Sequence, residues 1–368
     1  MPYGSISVDK IENSDGFTLG GSGAAMKNRI INGNMAIAQR TTSAVTTDES
    51  FPVDRFQIQI VNSNLSLVQS STAPAGFNYS TAITVTSTTS TNTNDRSRFF
   101  QNIEGFNVAD LGWGTANAKT ITVSFWARST VAGTYSGNIT NSTGARSYIF
   151  TYTLAANTWT YVTATVAGDT SGTWGATNGT GICVAPITLN CGATYQGTAG
   201  TWIAGDARGT SGSTYLATNN SGAVFNITGV QLEVGSTATS FDYRSYGTEL
   251  ALCQRYYQKS YEYSVVAGTS LVDDAPSLIM AAWGYGGAIN TVGNGNVSFQ
   301  VPMRTNATMV IYDKAGNSAK ISTLAGTGVY TNNVGINLTV ASQNNLMVQK
   351  YAQSCAGIAF AYTASAEL

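Results

Sequence analysis

Histidine is absent from this 368-residue chain. Without imidazole there is no Ser-His or Cys-His nucleophile pair, and the commonest general base and metal ligand is missing. Acid–base work would fall to carboxylates, which can cleave a glycosidic bond as a pair a few ångströms apart. The chain has 19 acidic residues, mostly single in the sequence. Glu104 with Asp110, and Asp273 with Asp274, are the pairs on offer, and the second reads as a solvated loop before Pro276. Asn92-Thr93-Asn94-Asp95 carries oxygen ligands of the kind calcium takes, and equally the Asx side chains that build turns. The glycines lie between strand-like runs with no helix after them, so no phosphate-cradling loop is expected. The sequence predicts no catalytic residue, no metal and no cofactor.

Aromatic side chains are the remaining chemistry. Six Trp and 19 Tyr are present, and flat rings flanked by amide side chains suit the C–H faces and hydroxyls of sugars. Trp126 and Trp159 fall inside alternating strands and read as core. Trp113, Trp174 and Trp202 lie among Gly, Thr and Ala in loop-like segments. They are glycan-contact candidates, with packing beneath a loop as the alternative. Trp283-Gly284-Tyr285-Gly286-Gly287 predicts an exposed aromatic loop, adding Trp283 and Tyr285.

The elements that must position these residues are strands. Hydrophobic residues make up 43% of the chain, enough for packed cores, while charged residues are only 10% against an average near ~25%. A surface of Ser, Thr, Asn, Gln and Gly suits shafts, packed oligomers and sugar-facing grooves. The net charge of −1 offers no electrostatic footprint for nucleic acid or anionic membrane. No run of eighteen apolar residues predicts membrane insertion, and the N-terminus lacks the pattern of a signal peptide. Cys183, Cys191, Cys253 and Cys355 show neither CxxC nor zinc spacing. Cys183 and Cys191 could pair across a hairpin, or all four could be buried free thiols.

Residues 1–45 read as an extended arm, with Ile6, Val8 and Ile11 alternating along one short strand and a Gly-rich stretch at 16–25. Residues 46–247 are a succession of alternating runs, such as Lys119 to Ala127 and Trp159 to Val166, punctuated by Gly, Asn and Ser. That predicts an antiparallel β-sandwich or jelly roll. From Thr248, placed as a helix N-cap, Leu250, Cys253, Tyr256 and Tyr257 recur at helical spacing, predicting a linking helix over 248–260. Residues 261–368 give a second, C-terminal β-sandwich. The fold class is all-β.

The junction also carries a likeness. Gly229-Val230-Gln231-Leu232-Glu233, followed by Glu249-Leu250 and Cys253-Gln254-Arg255-Tyr256-Tyr257, resembles a segment of many bacteriophage tail-fibre and virion appendage proteins. Lys27 to Asn34, Gln39-Arg40, Val53 to Phe56, Gln101 to Gly105, Thr122 to Arg128 and the ending Ala366-Glu367-Leu368 are similar to further pieces of that family. The opening resembles the attachment ends of short fibres, especially those of cyanophages.

The resemblance implies a jelly roll like that of carbohydrate-binding modules, ending on Gln231 and Glu233, with the Cys253–Tyr257 helix as a structural junction. It implies a structural role for Glu104, partnered by an arginine such as Arg98 or Arg128, and a homotrimer. The expected protein is a non-enzymatic virion component assembled in the host cytoplasm. Its arm (Ile6, Val8, Ile11) would attach to other phage tail or capsid proteins, and its loops would contact host surface polysaccharide. A capsid-decorating or head fibre, and less readily a polysaccharide depolymerase, are the alternatives.

Overall fold

The computed structural model describes residues 26–272, 275, 277–282, 292–324, 329–351 and 357–368. Ile6, Val8, Ile11, Asp273-Asp274, Trp283, Tyr285 and Cys355 lie outside the described residues. The described chain is all-β, with one α-helix between two antiparallel sandwiches. No described helix is long and apolar enough to cross a membrane.

The first sandwich comprises β1 (Gln57–Gln59), β2 (Asn64–Ser70), β3 (Ser80–Ser87), β4 (Arg96–Glu104), β5 (Ile121–Ser129) and β6 (Gly133–Asn141). It continues with β7 (Arg146–Leu154), β8 (Thr160–Val166), β9 (Thr180–Cys191), β10 (Trp202–Ala204) and β11 (Val224–Val234). One sheet has the order β1-β4-β9-β6-β7-β10 and the other β2-β3-β11-β5-β8. Strand β5 shows why the chain folds this way. Ile121, Val123, Phe125 and Ala127 are fully buried, and the residues between them face outward at a period of two. Between the sheets, Phe125 meets Tyr152 edge to face at 5.2 Å and Tyr135 meets Phe225 at 5.4 Å.

This pattern corrects the reading of Trp126. It shares the outward face of β5 with Ser124 and Arg128 and is itself only partly buried, outside the core between the sheets. Trp159 also stands outside the core, just before β8.

Residues 28–45 are not an arm. Ile30, Met35 and Ile37 are fully buried, the Arg29 amide donates to the Leu232 carbonyl, and Val45 bridges Leu67. Asn32, at φ +59°, clamps the turn by accepting from the Ile37 amide and donating to the Ile37 carbonyl. A hairpin for Cys183 and Cys191 is also ruled out. Both lie on the single strand β9, eight residues and so roughly 26 Å apart, and with Cys253 they are buried free thiols.

Helix α1 (Tyr246–Gln254) starts earlier and ends sooner than the periodicity predicts. Its N-cap is Ser245, whose hydroxyl accepts from the Thr248 amide, so Thr248 lies inside the first turn. Tyr257, read as helical, begins a strand. The second sandwich therefore opens directly behind the helix, with β12 (Tyr257–Lys259), β13 (Ile279–Ala282), β14 (Val292–Ser298), β15 (Thr308–Tyr312) and β16 (Lys320–Leu324). Then follow β17 (Tyr330–Gly335), β18 (Leu338–Ala341), β19 (Asn345–Tyr351) and β20 (Gly357–Ser365). Nearly every residue of β20 is buried; β12 and β15 pair with its second half, β13 and β16 with its first. Strands β14, β19 and β18 form the other sheet, and Leu346, Val348, Ile358 and Phe360 fill the core.

Candidate functional site

The outward face of the β2-β3-β11-β5-β8 sheet carries an open aromatic cleft of about 390 Å³. Trp126 on β5 and Tyr161 on β8 are directly opposed cross-strand partners, their rings 5.3 Å apart and tilted by 44°. On the other side of Trp126, β11 bulges between Thr228 and Gln231. Gly229 in this bulge has φ +65°, and a Cβ there would lie 2.7 Å from Phe77 Cζ and 3.2 Å from Trp126 Cδ1. Glycine is thus required twice, for the left-handed backbone and for the close approach of the two rings.

Phe77, Phe241 and Tyr243 complete the wall. Phe77 lies 5.2 Å from Phe241 and 5.6 Å from Tyr243, and the Tyr243 hydroxyl donates to the Gly76 carbonyl at 2.7 Å. The segment bearing Phe241 is held by Gln231 and Glu233. The Glu233 carboxylate accepts from the Thr239 amide (2.8 Å) and hydroxyl (2.6 Å), while Gln231 accepts from the Asp242 amide at 2.9 Å. These two residues were expected to close a sandwich; they also hook the loop that builds one side of the cleft. Tyr161 is 41% and Tyr243 58% exposed, so ring surface faces solvent. Ser124, Thr239 and Ser240 supply hydroxyls, and no charged side chain lines the cleft. This lining can take up an apolar, hydroxyl-bearing face.

Trp113, Trp174 and Trp202 come together elsewhere in the same sandwich. Their rings meet edge to face in all three pairings, at 4.7, 5.2 and 5.4 Å. Each indole N–H donates to a main-chain carbonyl, of Lys119, Ser171 and Ala167 respectively. Trp113 is only 7% exposed. The neighbouring glycines serve packing rather than display: at Gly114, φ +85°, a Cβ would lie 2.6 Å from the Gly172 carbonyl oxygen. Arg146 secures the adjoining loop with a bidentate grip on buried Asp169 at 2.6 and 2.8 Å.

The junction residues form a polar lock between the sandwiches. Glu104, 1% exposed, accepts from Arg255 Nε (3.0 Å) and Nη2 (2.7 Å) and from the Tyr256 hydroxyl (2.8 Å). Its partner is therefore Arg255, across the domain boundary, and neither Arg98 nor Arg128. Burial alone would raise the Glu104 carboxyl; hydrogen bonds from Arg255 and Tyr256 outweigh that and hold it below its ordinary value. Cys253 and Tyr256 pack with Ile31 and Ile37, and the Tyr257 carbonyl accepts from Gln39. Glu367 returns to pair with Arg40 at 2.8 Å and with Arg55, and Arg55 lies over the Tyr256 ring.

The carboxylate candidates are thus separately employed. Asp110 pairs with Arg29 at 2.9 Å, away from Glu104's partners, and Asp95 accepts from the Asn92 amide and the Asn62 amide group as a turn-builder does. Among the described residues, no three His, Cys, Asp or Glu side chains converge. Sequence reasoning missed Trp126, Tyr161, Phe77, Phe241 and Tyr243. A signal for Trp126 was present, because the alternation that buries Phe125 must turn its neighbour outward.

No family model matches this chain, and no curated protein matches it. Among solved structures, the enzymatically active domain of tailspike protein 4 of bacteriophage CBA120 aligns at 11% identity and TM-score 0.31. That match covers 58% of this chain and 22% of the tailspike chain, so the shared part is a small portion of that protein. A putative sugar-binding protein from Bacteroides thetaiotaomicron aligns at 14% identity and TM-score 0.31, over 56% of this chain and 100% of the other. The family 11 carbohydrate-binding module of a Clostridium thermocellum cellulosomal cellulase aligns at 13% identity and TM-score 0.26, over 54% of this chain and 98% of the module.

Proposed function

We propose that this chain is a non-catalytic, saccharide-binding component of a phage tail fibre or related virion appendage, with its sugar held in the Trp126 cleft. One observation carries the binding reading: an opposed Trp126–Tyr161 pair on a bulged sheet face, walled by Phe77, Phe241 and Tyr243. Open ring faces bordered by hydroxyls suit a neutral sugar, and the uncharged lining gives no advantage to an anionic one.

The virion setting and a homotrimeric state rest on the motif resemblance from Lys27 to Tyr257, and attachment through the residues before Lys27 rests on the resemblance of the opening to fibre attachment ends. Binding at each site would be weak and strengthened by several copies acting together. The test is a glycan array read with the wild-type protein and with Trp126→Ala. Binding of at least one host-surface polysaccharide that the variant loses is expected; equal binding by both would overturn the assignment of the cleft. Release of reducing ends from a bound polysaccharide would overturn the non-catalytic reading. Immunogold microscopy of virions locates the protein, and labelling of heads alone would overturn the tail assignment.

A further inference from the structure

A second cleft, of about 340 Å³, lies where α1 meets the first sandwich. Asn34, Gln69, Asn78, Tyr79, Tyr246 and Tyr263 line it. Tyr79, Tyr246 and Tyr263 are 38%, 55% and 37% exposed, so all three rings reach solvent. Its only charges, Arg244 and Glu249, cancel each other at 3.2 Å, and Arg244 also donates to the Ile30 carbonyl. The lining is therefore effectively neutral. Amides and phenols, each able both to donate and to accept, make up most of its polar surface.

One group in this cleft lacks what it needs. The side-chain carbonyl oxygen of Asn34 is enclosed and has no hydrogen-bond partner. A buried acceptor left unpaired is unfavourable, and rotation of the Asn34 amide toward the cleft would let a ligand hydroxyl satisfy it. Asn34 is held for that role by a rigid turn. Its neighbours Asn32 and Met35 sit at φ +59° and +57°, Asn32 clamps Ile37, and Gln69 donates to the Met35 carbonyl at 2.7 Å.

The two clefts are lined by residues adjacent in the chain. Phe77 and Tyr243 line the aromatic cleft; Asn78, Tyr79, Arg244 and Tyr246 line the second. Residues 77 and 79 cannot be more than ~7 Å apart along the chain, so the two linings adjoin there. We propose that the second cleft is a polar saccharide subsite continuous with the first, and that the preferred ligand is a neutral, extended oligosaccharide occupying both. This rests on the saccharide reading of the Trp126 cleft.

The probes are the dimer and the hexamer of neutral β-linked gluco-, xylo- and galacto-oligosaccharides, titrated calorimetrically into the full chain. For a sugar that binds, the hexamer is expected to bind at least tenfold more tightly than the dimer. Tyr79→Ala with Tyr246→Ala should bring the hexamer to the dimer's affinity and leave dimer binding unchanged. Both rings are exposed, and an unaltered melting temperature checks the fold of that variant. Asn34→Ala should cost the hexamer threefold or more and the dimer nothing. Equal affinity for dimer and hexamer in the wild type, or length dependence that survives the double variant, would overturn the second subsite. Dimer binding that survives Trp126→Ala would overturn the first cleft instead, and a series in which no oligosaccharide binds would overturn both.

Discussion

Two groups of tryptophans in one sandwich are put to opposite uses. Trp113, Trp174 and Trp202 each face the other two, and their indole N–H groups are bound to main-chain carbonyls. Trp126 has one cross-strand ring partner, Tyr161, and stands on a sheet face that opens into a cleft. Loops can fold back and close over an aromatic ring. A strand cannot, because the pleat commits every second side chain to the outer face unless another element covers it. Trp113 is sealed beneath its two neighbours, while Trp174 and Trp202, like Trp126, keep part of their surface exposed.

The contrast can be broken most forcefully at its buried end. Trp113→Ala should destabilise the first sandwich by about 3–5 kcal/mol, from the cavity left under two remaining rings. A drop in melting temperature with saccharide binding retained by the folded fraction is the expected result. Loss of binding at unchanged stability would reverse the roles of the two groups.

Next in size is the lock that joins the sandwiches. Glu104→Gln should cost about 2–3 kcal/mol, because Glu104 is buried while the Arg255 charge it leaves unmatched is 36% exposed and partly screened by solvent. The pH dependence has a definite sign. The folded pKa of Glu104 is lowered from 4.5, so its contribution is fully present above about pH 4.5 and is lost as pH falls through the folded value. Melting curves from pH 7 to pH 3 should therefore show the gap between wild type and variant closing at the acid end.

A smaller loss is expected at the bulge. Gly229→Ala places a Cβ against Phe77 and strains a left-handed backbone, for about 1–3 kcal/mol. It should weaken saccharide binding too, because both Phe77 and Trp126 must shift. Trp126→Ala sharpens the comparison from the other side. Its stability cost should be the smallest, about 1 kcal/mol or less, while the cleft loses its sugar. Denaturation and binding measured on the same preparations separate these two effects.

Much of the architecture was legible before any coordinates. Alternation from Ile121 to Ala127 indicated a strand and its buried face, and the stretch after residue 260 indicated a second β region, which β12 to β20 form. Short-range signals failed where two elements abut. The apolar spacing of Tyr256 and Tyr257 suggested more helix, yet β20 offered backbone partners and Tyr257 joined its sheet. Residues 28–38 fell within the stretch read as an extended arm, yet they bury a core. They bury one because Leu232 and Val230 receive them.

The sequence by itself determined the all-β class, the junction near residue 250, the lack of imidazole chemistry and a surface poor in charge. Those follow from composition and period, which act locally. Tertiary structure alone decided which aromatics gather into the Trp113 cluster and which line the Trp126 cleft, and that Glu104 is partnered by Arg255 from 151 residues away. Burial and pairing of this kind depend on where distant segments meet in space, and no local pattern encodes that meeting.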